Sequence, residues 1–191
     1  MDGEPVIIEA VPVTDLVLVV GPDKERIPVE SVILKAASPV FASMLSPPWL
    51  ESQSKEIVLP EDDPDAMQFI TSTIHFYNNH EAVTKARTPQ EILQIAIAVD
   101  KYDLHTALKF VMDFLFREAG KACTVTKLEA NQTYMASEDI VYLCAAAYLL
   151  NSCEWFSKFS LDLMSHHMGS FTTLMSDELI SSILPARFFG A

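Results

Sequence analysis

The spacing of apolar residues changes several times along the chain, and each change predicts an element. Asp15–Val20 is almost continuously aliphatic and ends at Gly21-Pro22-Asp23, the pattern of a strand buried on both faces that runs into a turn. Arg26–Val29 returns as its hairpin partner. Ser31–Ala37 carries Val32, Ile33, Leu34 and Ala37 as a first short helix. Ser38 before Pro39 reads as an N-cap followed by proline at the first helical position. Val40, Phe41, Met44 and Leu45 then form the apolar face of a second short helix, which Pro47-Pro48 stops. The β-branched run Glu56–Leu59 is a brief strand ending at Pro60. Two helices this short do not stand alone, so the rest of the chain must supply a surface for them.

Asp63-Pro64 repeats the cap-and-proline device, and Met67, Ile70 and Ile74 predict a helix of about three turns. That helix frays at Asn78-Asn79-His80, and the polar Glu81–Arg87 reads as a loop. Thr88-Pro89-Gln90-Glu91 is a capping box, the strongest helix start in the chain. Ile92, Ile95, Ala96 and Val99 line that helix, and Leu104, Leu108, Val111, Met112 and Leu115 line the next. The joint at Tyr102-Asp103 is tight enough to make the two antiparallel neighbours.

Gly120 and the polar stretch Lys121–Gln132 mark an internal boundary. Beyond it the pattern is purely helical: Ile140, Leu143, Cys144, Ala147 and Leu150, then Phe156, Phe159 and Leu163, then Leu179, Ile180, Ile183 and Leu184 before Pro185. These apolar faces predict that the extension packs, since free amphipathic helices would expose large patches. At the other end, Val6, Ile7, Ile8 and Val11 between Pro5 and Pro12 predict an extended segment able to pair at a sheet edge.

Composition narrows the function. Half of the 191 residues are hydrophobic, enough for a sizeable core. The formal charge of −13 and the lack of any Lys/Arg run argue against a nucleic-acid backbone or an anionic membrane as partner. The longest apolar run, Ile140–Leu150, falls well short of the ~20 residues of a membrane span. The three cysteines, Cys123, Cys144 and Cys153, form no even framework, which fits a reducing compartment. The first residues have neither a basic region nor a long apolar stretch, so no signal peptide is expected. The expected location is intracellular, cytoplasmic or nuclear.

Candidate chemistry is thin. Five glycines make neither GxGxxG nor GxxxxGK[ST], and no GxSxG, HExxH or CxxC occurs. No catalytic residue, cofactor, metal site or small-molecule substrate is expected. His166-His167 are adjacent, so on a helix they diverge and suit a solvated C-terminal end better than a metal. Cys144, on an apolar stripe, reads as a buried inert thiol. His75 and His105 fall at helix ends, where caps or surface positions are the default. The acidic Glu61-Asp62-Asp63 with Asp65 lacks calcium-loop alternation and suits a helix N-terminus. Phe110, Phe114 and Phe116 have no interleaved basic groove for bases, so they are expected in the core.

Four stretches together resemble the BTB/POZ domain, most closely the short BTB proteins of filamentous fungi. They are Asp15–Gly21 (DLVLVVG), Val29–Leu45 (VESVILKAASPVFASML), Leu59–Met67 (LPEDDPDAM) and Ala98–Tyr102 (AVDKY), in family order and spacing. Glu30-Ser31 fits the fungal variants, where many animal members have histidine, and Ala146-Ala147-Tyr148 is like an element of their helical tails. The resemblance implies an α+β fold, a small mixed sheet surrounded by helices, with an all-α extension. The expected divisions are an extended segment over 1–12, the domain over 13–119, a linker over 120–136 and the helical extension over 137–191.

The resemblance also implies a non-enzymatic protein-interaction module that forms homo- or hetero-oligomers. Ser31–Ala37 and the N-terminal segment would form the dimer surface, with Val6, Ile7, Ile8, Val11, Val32 and Ile33 as its candidates. Trp49-Leu50-Glu51 matches the hydrophobic-x-Glu element that cullin-3-binding members carry at this place. Trp49 would then be a pre-ordered anchor on a proline-stiffened loop; the other reading has it packing back under that loop. The alternative function is thus a substrate adaptor of a cullin-3 ubiquitin ligase.

Overall fold

A computed structural model of the chain describes residues 14–47, 54–77, 80–125 and 137–167, and beyond them 169, 171–174, 176–185 and 188. Strand β1 (Leu16–Val20) pairs antiparallel with β2 (Glu25–Val29), in the register Leu18 opposite Ile27. On its other side β1 pairs parallel with β3 (Glu56–Leu59), Leu18 opposite Ile57, so the sheet is mixed with β1 central. Leu16, Leu18, Val20, Ile27, Val29, Ile57 and Leu59 point inward as the period-two rule requires. On the outer face Val19 is also buried, with Arg26 and Glu56 joined by an ion pair at 2.6 Å beside it.

Gly21 makes the hairpin possible. Its φ of +72° belongs to glycine, its N–H donates to Leu59 O, and a Cβ there would sit 2.8 Å from Pro64 Cγ. Two short helices follow, α1 (Ser31–Ala37) and α2 (Pro39–Met44), burying Leu34 and Phe41. Then come α3 (Pro64–Ile74), capped by Asp63, and α4 (Glu81–Thr84). The polar stretch expected as loop thus contains a single helical turn, because His80 Nδ1 accepts the Ala82 N–H at 3.2 Å. Helix α5 (Pro89–Lys101) opens with the complete Thr88/Glu91 capping box.

Helix α6 (His105–Val125) continues straight through Gly120, so the polar stretch beyond that glycine starts as helix. Gly120 is a point of close approach: a Cβ would meet Lys158 Nζ at 3.1 Å and Trp155 Cζ3 at 3.5 Å. The tail contains α7 (Ser137–Leu149), α8 (Cys153–His166), α9 (Phe171–Leu174) and α10 (Glu178–Ile183). Helix α3 packs on α5, α5 on α7, and α7 on α8 and α10, forming one hydrophobic core continuous with the sheet. Helix α7 buries Ile140, Val141, Leu143, Cys144, Ala145, Ala146 and Ala147, more than one stripe, because helices cover it on several sides.

Three helices end in the same hydrogen-bonded turn. At α3, Phe76 N–H donates to Thr73 O and Tyr77 N–H to Ser72 O; α5 does this at Asp103 and Leu104, and α7 at Asn151 and Ser152. The residue that turns the chain has φ of +62° at Phe76, +48° at Asp103 and +51° at Asn151. Aspartate and asparagine tolerate this region; for phenylalanine it costs about 1 kcal/mol or more.

Candidate protein-interaction surface

Polar contacts from distant parts of the chain fix α1 and α2 from behind. Glu30, the residue before α1, offers that helix no side-chain cap. Asp15 replaces it: Oδ1 accepts the Ser31 N–H at 2.7 Å and Oδ2 accepts the Ser31 hydroxyl at 2.6 Å. Those two bonds hold the Asp15 carboxyl below its usual range. The Glu30 N–H in turn donates to His75 at the end of α3. His75 is the C-cap of α3, one of the two positions expected of it, but it is buried rather than at the surface.

Helix α2 is held the same way. Ser38 accepts the Phe41 N–H at 3.0 Å and donates its hydroxyl to Tyr102 O at 2.5 Å. The Phe41 and Tyr102 rings stack at 4.4 Å. The Tyr102 hydroxyl donates to Asp62 Oδ2 at 2.8 Å, and Lys101 Nζ reaches both Asp62 oxygens at 2.9 and 2.8 Å. Burial, then the bond to Asp62, pushes the Tyr102 phenol well above its ordinary value. Asp62 was expected as an anion beside a helix N-terminus. That role belongs to Asp63, whose Oδ1 accepts the Ala66 N–H at 2.8 Å, while Asp62 is buried against α5.

With its back fixed, α1 presents an apolar front. Val32 is 67 % exposed, Ile33 is half-buried, and Ala36 and Pro39 are exposed beside them. Of the candidate contact residues, the structure places only Val32 and Ile33. Val6, Ile7, Ile8 and Val11, and likewise Trp49, Leu50 and Glu51, lie outside the described residues.

Other exposed aromatics were not anticipated. Phe116 is buried as expected, but Phe110 is 84 % exposed and Phe114 is also at the surface, a correction to their core assignment. The signal was present: Phe110-Val111-Met112 and Phe114-Leu115-Phe116 place more apolar residues in a row than one helix face can bury. Phe76 and Tyr77 are exposed next to His75.

A groove of about 710 Å³ runs between α6 and the α7–α8 turn, lined among others by His105, Lys109, Asp113, Cys153 and Glu154. Two of its ionisable groups are engaged with the scaffold: Asp113 accepts the Trp155 Nε1–H at 3.2 Å, and His105 lies 3.3 Å from Asp100. Cys144 is buried, and α8 ends at His166 with His167 as its C-cap. Among the described residues no group of three His, Cys, Asp or Glu could hold a metal ion, and no helix is long and apolar enough to cross a membrane.

A family model of the BTB/POZ domain matches residues 10–119. No curated protein matches the chain.

Proposed function

The chain belongs to the BTB/POZ domain family of protein-interaction modules, and on that premise we propose that it acts without catalysis, joining two copies of itself through α1 and the N-terminal segment. The observation that carries this reading is Val32, 67 % exposed on a helix whose other side is locked by Asp15, His75 and Leu34. An apolar front on a rigid helix loses little conformational freedom on association, so less of its burial is offset by ordering. The apolar Val6–Ile8 and Val11 would add to the same interface. Glu30-Ser31 and Ala146-Ala147-Tyr148 support a likeness to the short BTB proteins of filamentous fungi. Light scattering at micromolar concentration tests the reading. The wild type runs as a dimer, and Val32→Glu or deletion of residues 1–12 shifts it to monomer. A monomeric wild type unaffected by the deletion overturns it.

Trp49-Leu50-Glu51 supports a second reading, an adaptor of a cullin-3 ubiquitin ligase. An aromatic anchor beside a carboxylate suits a protein contact that combines burial with polar selectivity. Recovery of the cullin N-terminal domain by the wild type, lost in the double variant Trp49→Ala, Glu51→Ala, supports it; equal recovery removes it.

A further inference from the structure

We propose that the outer face of α6 is a second docking surface, independent of Val32 and α1, and that it takes an acidic amphipathic helix of a partner protein.

Helix α6 is continuous from His105 to Val125, so its outward residues fall on a defined line. Ala107, Phe110, Phe114, Arg117 and Lys121 are spaced alternately by three and four, which brings them to one stripe of the helix. All five are exposed, Phe110 by 84 % and Phe114 by 56 %. The other side of the helix, with Leu108, Met112, Leu115 and Phe116, is buried in the core. A single exposed aromatic needs no explanation, but two of them one turn apart make a contiguous apolar patch. Alternating spacings of three and four are those with which a second helix interdigitates, and the stripe is roughly 20 Å long. Ala107 at its start is small enough to let a partner backbone approach.

Charge selects the occupant. The chain has a formal charge of −13, and α3, α5, α7 and α8 each contain more acidic than basic residues. Helix α6 has the opposite balance, with Lys109, Arg117 and Lys121 against Asp113 and Glu118. Both of its carboxylates are engaged: Asp113 accepts the Trp155 Nε1–H, and Glu118 pairs with Lys121 at 2.5 Å. Lys109 and Arg117 are exposed, and among the described residues neither has a hydrogen bond or an ion pair. Two free cations beside two phenyl rings complement a helix whose apolar face is bordered by Asp or Glu. A second copy complements them poorly, since its own α6 would bring the same two cations and no free carboxylate.

The probe is a fluorescein-labelled designed helix of about 20 residues, leucine along one face and glutamate beside it, followed by anisotropy against the full chain. A counterpart carries lysine in place of each glutamate. The overall charge of −13 by itself favours the lysine peptide, so the order of the two affinities separates this surface from the field of the whole protein. The glutamate peptide is expected to bind the wild type more tightly than the lysine peptide. Phe110→Ser with Phe114→Ser weakens it about tenfold or more at an unchanged Tm, since both rings are exposed. Arg117→Glu removes the preference for glutamate, and Val32→Glu leaves the affinity as it was. Tighter binding of the lysine peptide overturns the proposal, as does a double phenylalanine variant that binds like the wild type. A double variant that loses self-association in light scattering, from a wild type that ignores the glutamate peptide, makes the occupant a second copy and overturns it as well. So does a lower Tm in that variant, because the rings would then be packing within their own chain.

Discussion

The ring of His75 joins two helices that are far apart in sequence: Nε2 accepts the Glu30 N–H at 2.8 Å, while Nδ1 faces Thr71 O at 2.7 Å. These partners assign the proton to Nδ1, since a carbonyl needs a donor and an N–H needs an acceptor. The contact thus exists only with a neutral ring. Replacing His75 by Ala leaves the Glu30 N–H without its acceptor at the start of α1. The expected loss is about 1–2 kcal/mol in urea unfolding, with the largest gain in amide exchange across Ser31–Ala37.

Asp62 is the point where α5 and the turn before α3 meet, through Lys101 and Tyr102. Asp62→Ala leaves the buried Tyr102 hydroxyl without an acceptor and removes the partner of Lys101. It is expected to cost about 2–3 kcal/mol, and Tyr102→Phe, which removes one donor and leaves the Lys101 pair, about 1. Equal losses for the two variants would contradict this ordering. The raised Tyr102 phenol carries a pH signature as well. Unfolding releases it to ionise at its ordinary 10.0, so stability falls as pH rises past that value. Tyr102→Phe flattens the alkaline limb of the profile.

Asp15 gives the opposite dependence. Its carboxyl is lowered by the Ser31 hydroxyl and N–H from an ordinary 3.8, so its stabilisation is present above that value. It is lost as pH falls through the lower folded-state value. Asp15→Asn removes this acid limb. Because the carboxylate is solvent-exposed, the effect at neutral pH is small, about 0.5 kcal/mol.

Gly21→Ala combines a left-handed backbone with a clash, 2.8 Å from the new Cβ to the ring carbon of Pro64. Pro64 opens α3 and Gly21 N–H bonds to Leu59 O, so neither side moves without disturbing the parallel pairing of β1 and β3. A loss of about 2 kcal/mol or more is expected by thermal unfolding.

Ending the chain at residue 136 removes α7 with its seven buried residues and uncovers the face of α5 it packs on. The truncated chain is expected to lose several kcal/mol of apolar burial and to expose a patch that binds a hydrophobic dye or aggregates. A soluble, cooperatively unfolding fragment 1–136 would show that the sheet and the first six helices have a core of their own.

Whatever depends on neighbours a few residues apart was legible in the sequence. Ser38, Asp63 and Thr88 cap the helices they precede, each accepting an N–H three residues on, because that bond is satisfied locally in any surroundings. The mixed sheet and the position of Val32 and Ile33 on α1 followed from motifs that resemble a known family. Only the tertiary structure decided the contacts between parts remote in sequence. Asp62 finds Lys101 and Tyr102 some forty residues away, His75 is buried by meeting Glu30, and Gly120, inside α6, is a point of close approach to α8. The same holds for exposure. Helical periodicity shows which residues share a face, but whether another helix covers that face depends on the whole arrangement. Helix α7 is enclosed on several sides, while Phe76, Phe110 and Phe114 remain in solvent.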